Sequence, residues 1–303
     1  MDMKNAGYLF CFFTGKEKNE KDEQVYFALS RDGLHWEDLN GQKPLLCSEI
    51  GTKGVRDPFL IRLEDKKKYI IIATDLHIAS GTSWEEAVHN GSTKLVCWES
   101  SDLLHWSEPY FFDTEMADAG CVWAPEAVYD RENGCYMVFW SAMTERNGEK
   151  RHRVYASRTK DFHNFSKAFL YLEKDTDIID MTIVYEDGEY YRFYKDEENA
   201  EIHMDHAKRL MDKFIPVEKP FSEKPEGVEG PAVFPLGNKK GWCLLLDYFR
   251  EQKGYVPFVT EKLSGAKFKE LPEECYNFGR LKKRHGSILN LTQEEWSRFE
   301  KLR

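Results

Sequence analysis

Three carboxylates open apolar runs that lie far apart in the chain: Asp57 in Arg56-Asp57-Pro58, Asp180 in Ile179-Asp180, and Glu229 in Glu229-Gly230-Pro231. Carboxylates gathered around one small cavity cannot all ionise freely, because like charges raise one another's pKa; one keeps its proton while another stays charged. Cleavage of a glycosidic bond needs that division. One carboxylic acid protonates the departing oxygen, a second carboxylate activates water on the opposite sugar face at a separation of roughly 6.5–9.5 Å, and a third can tune and orient the acid. Attack from the opposite face inverts the anomeric carbon.

Such groups meet only if the chain brings distant strand openings together, and the pattern predicts how. Short β-branched and aromatic runs bounded by turn residues read as strands over 8–13, 24–30, 59–63, 69–74, 94–99, 127–129, 136–141, 153–157, 182–185, 190–194, 232–236, 242–247 and 287–291. One stretch reads clearly as helix, 292–302, with Thr292 and Glu295 forming a capping box. A motif recurs at strand ends: Ser30 to Trp36, Ser101 to Trp106 and Ser157 to Phe165, with fainter echoes at 210–214 and 263–268. Units of about 40 to 50 residues with four strands each are propeller blades, lengthened in places by loop insertions.

Five short motifs lead into apolar strands, at 56–58, 123–126, 179–180, 229–231 and 284–286, so five blades are expected. No strand follows 284–291 except the terminal helix, so residues 7–39 must complete the last blade, which hides both sheet edges. The expected architecture is all-β: a five-bladed β-propeller with N-terminal strands completing the last blade and a short C-terminal helix, one catalytic domain over 1–303. Innermost strands run around a central channel, so Asp57, Asp180 and Glu229 face its mouth from three blades.

The ordered set Arg56-Asp57-Pro58, Trp123-Ala124-Pro125-Glu126, Ile179-Asp180 and Glu229-Gly230-Pro231 resembles glycoside hydrolase family 43, whose members are five-bladed β-propellers. The resemblance spans essentially the whole chain. It implies that Asp57 is the general base, Asp180 the pKa modulator and orienter, and Glu229 the general acid of an inverting hydrolysis. It also implies substrates ending in α-L-arabinofuranosyl or β-D-xylosyl units, or arabinan cut internally. Arg56 departs from the small residue common before the first Asp-Pro in that family. Arg-Asp-Pro occurs in fructan-cleaving propellers too, but their Asn-Asp-Pro-Asn and Glu-Cys motifs are missing here.

Further candidates surround the trio. Trp123 is core or a sugar-stacking platform; Glu126 holds a substrate hydroxyl or neighbouring backbone; Trp84, in a loop over 77–92, shapes a subsite. Arg284 and His285 open the fifth innermost strand and face the channel, and Arg56 neighbours the base. In some relatives a histidine placed like His285 helps hold a central calcium, so the resemblance leaves room for a structural calcium, with no cofactor required for the reaction. His203 and His206 would suit a metal only on a helix, and their surroundings read as strand and turn. Trp36 and Trp106 read as packing, and the charge run 16–23 as a solvated hairpin tip.

Composition narrows the partners. A net charge of −10 with no basic stripe argues against nucleic acid, and no apolar run approaches the roughly 18 residues of a membrane span. Residues 1–7 carry no secretory signal, and the seven cysteines are odd in number with no C-x-x-C pair, which points to a reducing cytoplasm. Aromatic residues reach 14%, serving core bulk and sugar stacking alike. The expectation is a cytoplasmic inverting exo-glycosidase that trims oligosaccharides. The rivals are an endo-acting arabinanase and a noncatalytic carbohydrate-binding propeller, which would not need three strand-opening carboxylates.

Overall fold

The strands Tyr69–Asp75 and Trp242–Tyr248 are buried along all or nearly all of their length, so their sheets need cover on both faces. Neighbouring sheets supply it. The structure, a computed structural model, describes residues 5–65, 67–237 and 241–300. Residues 1–4, part of the N-terminal segment read for a signal, and 301–302, the end of the expected helix, lie outside the described residues.

Among the described residues the strands form five four-stranded sheets. Blade 1 comprises Val55–Arg62, Tyr69–Asp75, Lys94–Ser100 and Tyr110–Asp113; blade 2, Val122–Asp130, Cys135–Arg146, Glu149–Thr159 and Phe169–Leu172. Blade 3 comprises Ile178–Glu186, Glu189–Asp196, Glu201–Ala207 and Ile215–Pro216; blade 4, Glu229–Pro235, Trp242–Tyr248, Gly254–Thr260 and Lys269–Glu270. Blade 5 takes its innermost strand from the C-terminal end, Ser287–Leu291, and completes itself with Gly7–Phe12, Tyr26–Ser30 and Trp36–Asp38. The closure expected from residues 7–39 is the one observed. The innermost strands touch in ring order, blade 5 meeting blade 1, and an apolar cluster fills each of the five blade interfaces. This is the five-bladed β-propeller.

Side chains stitch neighbouring blades together. The Thr74 hydroxyl accepts from Ala124 N at 2.8 Å, joining blades 1 and 2, and Gly230 N donates to Asp180 Oδ2 at 3.0 Å, joining blades 3 and 4. Tyr255 donates its hydroxyl to Gly230 O at 2.8 Å and accepts from Gly286 N at 3.2 Å, joining blades 4 and 5. Ser287 Oγ accepts from Leu60 N at 2.7 Å, which returns the ring to blade 1.

The terminal helix runs Gln293–Phe299 with the Thr292–Glu295 capping box in place. Its Trp296 and Phe299 are buried in the cluster between blades 5 and 1, and Glu295 pairs with Arg62 of blade 1 at 2.6 Å. The helix therefore pins the closing blade to the first one. A second helix, Trp84–His89, stands where a plain loop was expected. Ser83 caps it by accepting from Glu86 N, a start signal carried by the sequence itself.

The recurring blade-end motif is a loop whose aspartate accepts several N–H groups. Asp32, Asp102 and Asp161 each accept two backbone N–H bonds, and each also bonds the side chain three residues on: His35, His105 or Asn164. The hydroxyl that completes the loop belongs to Ser30, Ser100 and Thr159, so the repeat starts one residue before Ser101 and two after Ser157. His203 and His206 lie on the strand Glu201–Ala207, where a spacing of three sends them to opposite faces. They stack on Tyr194 and Tyr191 respectively and share no ligand position. Among the described residues no helix is long and apolar enough to cross a membrane.

Candidate active site

Four of the five innermost strands open with the same irregularity. Register with the second strand slips between Arg56 and Phe59, Trp123 and Glu126, Ile179 and Thr182, and Glu229 and Ala232. Inside each slip one residue is left-handed: Asp57 (φ 50°), Ala124 (φ 48°), Asp180 (φ 54°) and Gly230 (φ 54°). A bulge bends the strand and re-aims its side chains, and holding a non-glycine residue left-handed costs about 1–2 kcal/mol. In blades 1 and 3 the aspartate itself takes the left-handed place. In blade 4 glycine takes it and the acid stands one residue earlier. Glycine eases that place twice over, since it takes the left-handed backbone without a Cβ penalty and a Cβ would lie 3.1 Å from His285 Cβ.

The bulges open onto a cavity of about 490 Å³ at one end of the channel. Asp57, Asp180 and Glu229 all line it, together with Arg56, Trp84, Trp123, Arg284 and His285. Glu126 is absent from this wall. It lies beneath, 4% exposed, with Oε1 4.0 Å from His285 Nε2, and burial pushes its carboxyl well above the usual range. Reach to a sugar hydroxyl in the cavity, expected as one use of Glu126, does not fit that position.

The three carboxylates have unlike surroundings. Asp57 accepts from the Thr74 hydroxyl at 2.9 Å, and its other oxygen is 3.6 Å from His285 Nδ1. Asp180 accepts from Gly230 N, and its other oxygen is also 3.6 Å from His285 Nδ1, so one imidazole nitrogen stands between the two aspartates. Burial pushes Asp180 up; His285 offsets part of this, while the negative charges of Glu229 and Asp57 add to it. Glu229 lies between cations: Oε2 is 3.0 Å from Lys195 Nζ, and Oε1 accepts from Arg284. Burial pushes Glu229 up as well, yet Lys195 and Arg284 outweigh it and hold the carboxyl below its ordinary value. Arg284 is steadied in turn by the fully buried Asp247.

The aromatic side of the cavity comes from blades 1 and 2. Trp84, 46% exposed, meets Trp123 edge to face at 6.1 Å, and Trp123 lies on the His152 ring at 5.3 Å. His152 is oriented by Asp177 at 3.2 Å. Arg56 lies 4.8 Å from the Phe13 ring and 4.9 Å from that of Trp84, while its guanidinium pairs with Glu17 and Glu23 at 2.8 Å each. Glu23 is fully buried and also accepts from Ile78 N and Ala79 N. The charge run 16–23 therefore does not end in a solvated tip; its last residue anchors Arg56 and the segment leading to Trp84.

Lys195, Glu197 and Phe249 were not anticipated from sequence. Glu197 and Phe249 line the cavity, and Lys195 stands behind Glu229. A signal existed: Lys195 shares a strand face with Tyr191 and Phe193, and a cation on a buried face needs a partner. Among the described residues, no three His, Cys, Asp or Glu side chains are placed to hold a metal ion. Around His285 the nearest carboxylate oxygens, of Asp57, Asp180 and Glu126, stand 3.6, 3.6 and 4.0 Å from its ring nitrogens.

Residues 4–297 match the model of a glycosyl hydrolase family 43-related family described as "Probable glycosyl hydrolase domain". Over 214 residues the chain is 28% identical to an α-L-arabinofuranosidase of Bifidobacterium longum subsp. longum, covering 65% of this chain and 20% of that protein. It thus spans about one fifth of that relative's length. Among solved structures, the exo-β-1,3-galactanase of Phanerochaete chrysosporium with galactose aligns with a TM-score of 0.61 at 12% identity, over 92% of this chain and 67% of that one. A family 43 β-1,3-galactosidase aligns at 0.57 and 15% identity, over 82% and 88%. Likeness at such identities establishes the shared fold.

Proposed function

The chain belongs to the glycosyl hydrolase family 43-related family, and from that premise we propose that it is an inverting glycoside hydrolase releasing terminal α-L-arabinofuranosyl or β-D-xylosyl units from plant-derived oligosaccharides. One observation carries the reading: carboxylates from three blades share a single cavity with aromatic walls. Asp57, held by Thr74, takes a proton from water as that water attacks the anomeric carbon. Glu229 reacts from its protonated form, a minority at neutral pH because Lys195 and Arg284 hold it ionised, and gives that proton to the glycosidic oxygen as the C–O bond breaks, while Asp180 orients the acid. Trp84 and Trp123 form a corner against which a sugar ring packs. The reaction so written needs no cofactor. Free cysteines throughout, five of them buried, support a reducing, cytoplasmic setting.

The test is nitrophenol release from aryl α-L-arabinofuranoside, β-D-xyloside and β-D-galactoside, with the product anomer followed by NMR. Release of one of the first two pentoses with inversion is expected, and Asp57→Ala should lower kcat by about 10²–10⁴-fold. Glu229→Ala should keep far more of its rate on a dinitrophenyl leaving group, which departs without a proton, than on a poorer one. Retention of configuration, or equal release by wild type and variants, overturns the mechanism; release from the galactoside alone changes the sugar and leaves the mechanism standing.

A further inference from the structure

Glu229 is gripped by a lysine almost wholly shut off from solvent. Lys195 has a side chain only 1% exposed, with Nζ 3.0 Å from Glu229 Oε2, 2.5 Å from Glu197 Oε2 and 4.2 Å from the Phe249 ring centre. A cation buried that deeply persists only where carboxylates neutralise it. Glu229 and Glu197 do so from two sides, and the aromatic face closes a third.

We propose that Lys195 is a positioning residue that aims the Glu229 carboxyl into the cavity and sets how firmly that carboxyl keeps its proton. This rests on the reading of Glu229 as the acid. The charges facing Glu229 come from three parts of the ring. Lys195, Asp180 and Glu197 stand in or beside blade 3, Asp247 in blade 4, and Arg284 with Lys282 in the segment before blade 5. Arg284 divides its charge with the buried Asp247, and Lys195 divides its own with Glu197 at the cavity mouth. Of the two contacting cations, Lys195 does more to hold Glu229 ionised. Without it, Glu229 would face Asp180 and Glu197 with Arg284 as its one remaining contacting cation, and would bind its proton more tightly.

Two variants push in opposite directions. Lys195→Met keeps an unbranched side chain that tolerates burial and removes the charge; the descending alkaline limb of kcat/KM should move up by about 1–3 pH units. Lys195→Arg should restore the wild-type limb at least in part. Glu197→Gln, altered at the partly exposed mouth, leaves the lysine charge undivided, so kcat/KM on that limb should fall relative to wild type at the same pH. A purely structural lysine would lower kcat at every pH without moving the limb, and that result, or no shift in either variant, overturns the proposal. Glu229→Gln separates the two levels. If it leaves the limb intact, the acid assignment itself fails; if it abolishes the limb while Lys195→Met and Glu197→Gln leave it in place, only the role of Lys195 fails.

Discussion

Two repeated aspartate positions divide this propeller between them. At the blade ends, Asp32, Asp102 and Asp161 sit in loops that surround each carboxylate with donors. At the strand openings, Asp57 and Asp180 each accept one hydrogen bond, from Thr74 and Gly230, and face His285 at 3.6 Å. Partial burial pushes Asp32 and Asp102 up, but the bonds from the His35 and His105 segments outweigh it; both lie low, Asp32 at about 2. Asp161 is lowered mainly by the Asn164 backbone and side chain. Burial moves Asp180 the other way. A carboxylate can accept about four hydrogen bonds, so the loop aspartates are nearly saturated and the opening ones are left short. The saturated set serves folding, and the unsaturated set keeps free acceptor capacity facing the cavity, as the proposed hydrolysis would require.

The strongest way to break that contrast is a crossed pair of substitutions. Asp180→Asn preserves an acceptor for Gly230 N, and asparagine tolerates the left-handed backbone; it should cut kcat by about 10²–10⁴-fold. Its effect on stability should be the reverse. A carboxyl whose folded pKa is raised costs stability once pH passes its unfolded value, so at neutral pH the neutral asparagine should stabilise the fold by about 0.5–2 kcal/mol. Asp102→Ala should do the opposite: kcat unchanged, with about 1 kcal/mol lost as the loop N–H groups lose their acceptor. Urea unfolding and aryl glycoside kinetics on both variants check this. A destabilised Asp180→Asn beside a silent Asp102→Ala would erase the distinction.

Gly230→Ala tests the backbone side of the same contrast. The left-handed φ of 54° and the 3.1 Å approach to His285 Cβ burden the new methyl in two ways. The first should cost about 1–2 kcal/mol in unfolding free energy. The second displaces the imidazole that separates Asp57 from Asp180, so kcat should fall with stability. Loss of stability with full activity would mean that His285 has no part in arranging the aspartates.

Much of this was legible in the chain, and the rest was hidden for identifiable reasons. Five apolar runs opening on short motifs are local patterns, so blade number and closure through residues 7–39 could be read directly; so could the Thr292–Glu295 box, whose partners are three residues apart. Lys195 could not be placed against Glu229, because their contact exists only once blades 3 and 4 are side by side in the ring. The bulges were hidden too, since a left-handed Asp57 or Ala124 looks like any strand residue until its register slips. The short helix Trp84–His89 was missed because six residues carry too little periodicity to register, although Ser83 and Glu86 marked its start. The loop is completed by the Ser100 hydroxyl and not by that of its neighbour Ser101, because Ser100 holds the position of Ser30 and Thr159.

The smallest expected effect concerns acid, and its sign separates the two aspartate sets. A lowered folded pKa contributes stability that is present above the unfolded value of about 3.9 and is lost as pH falls through the folded value. For Asp32, Asp102 and Asp161 the loss therefore begins near pH 4 and, for Asp32, continues to about 2. Asp180 contributes the reverse slope, its charge costing stability as pH rises above about 3.9. Urea midpoints followed from neutral pH downward should rise slightly as Asp180 gains its proton and then fall as the loops lose their charge. Replacing all three loop aspartates by alanine should flatten only the fall, and Asp180→Asn only the rise. If the triple variant keeps the acid slope of the wild type, the loop carboxylates are not the saturated, fold-supporting set that their hydrogen bonds describe.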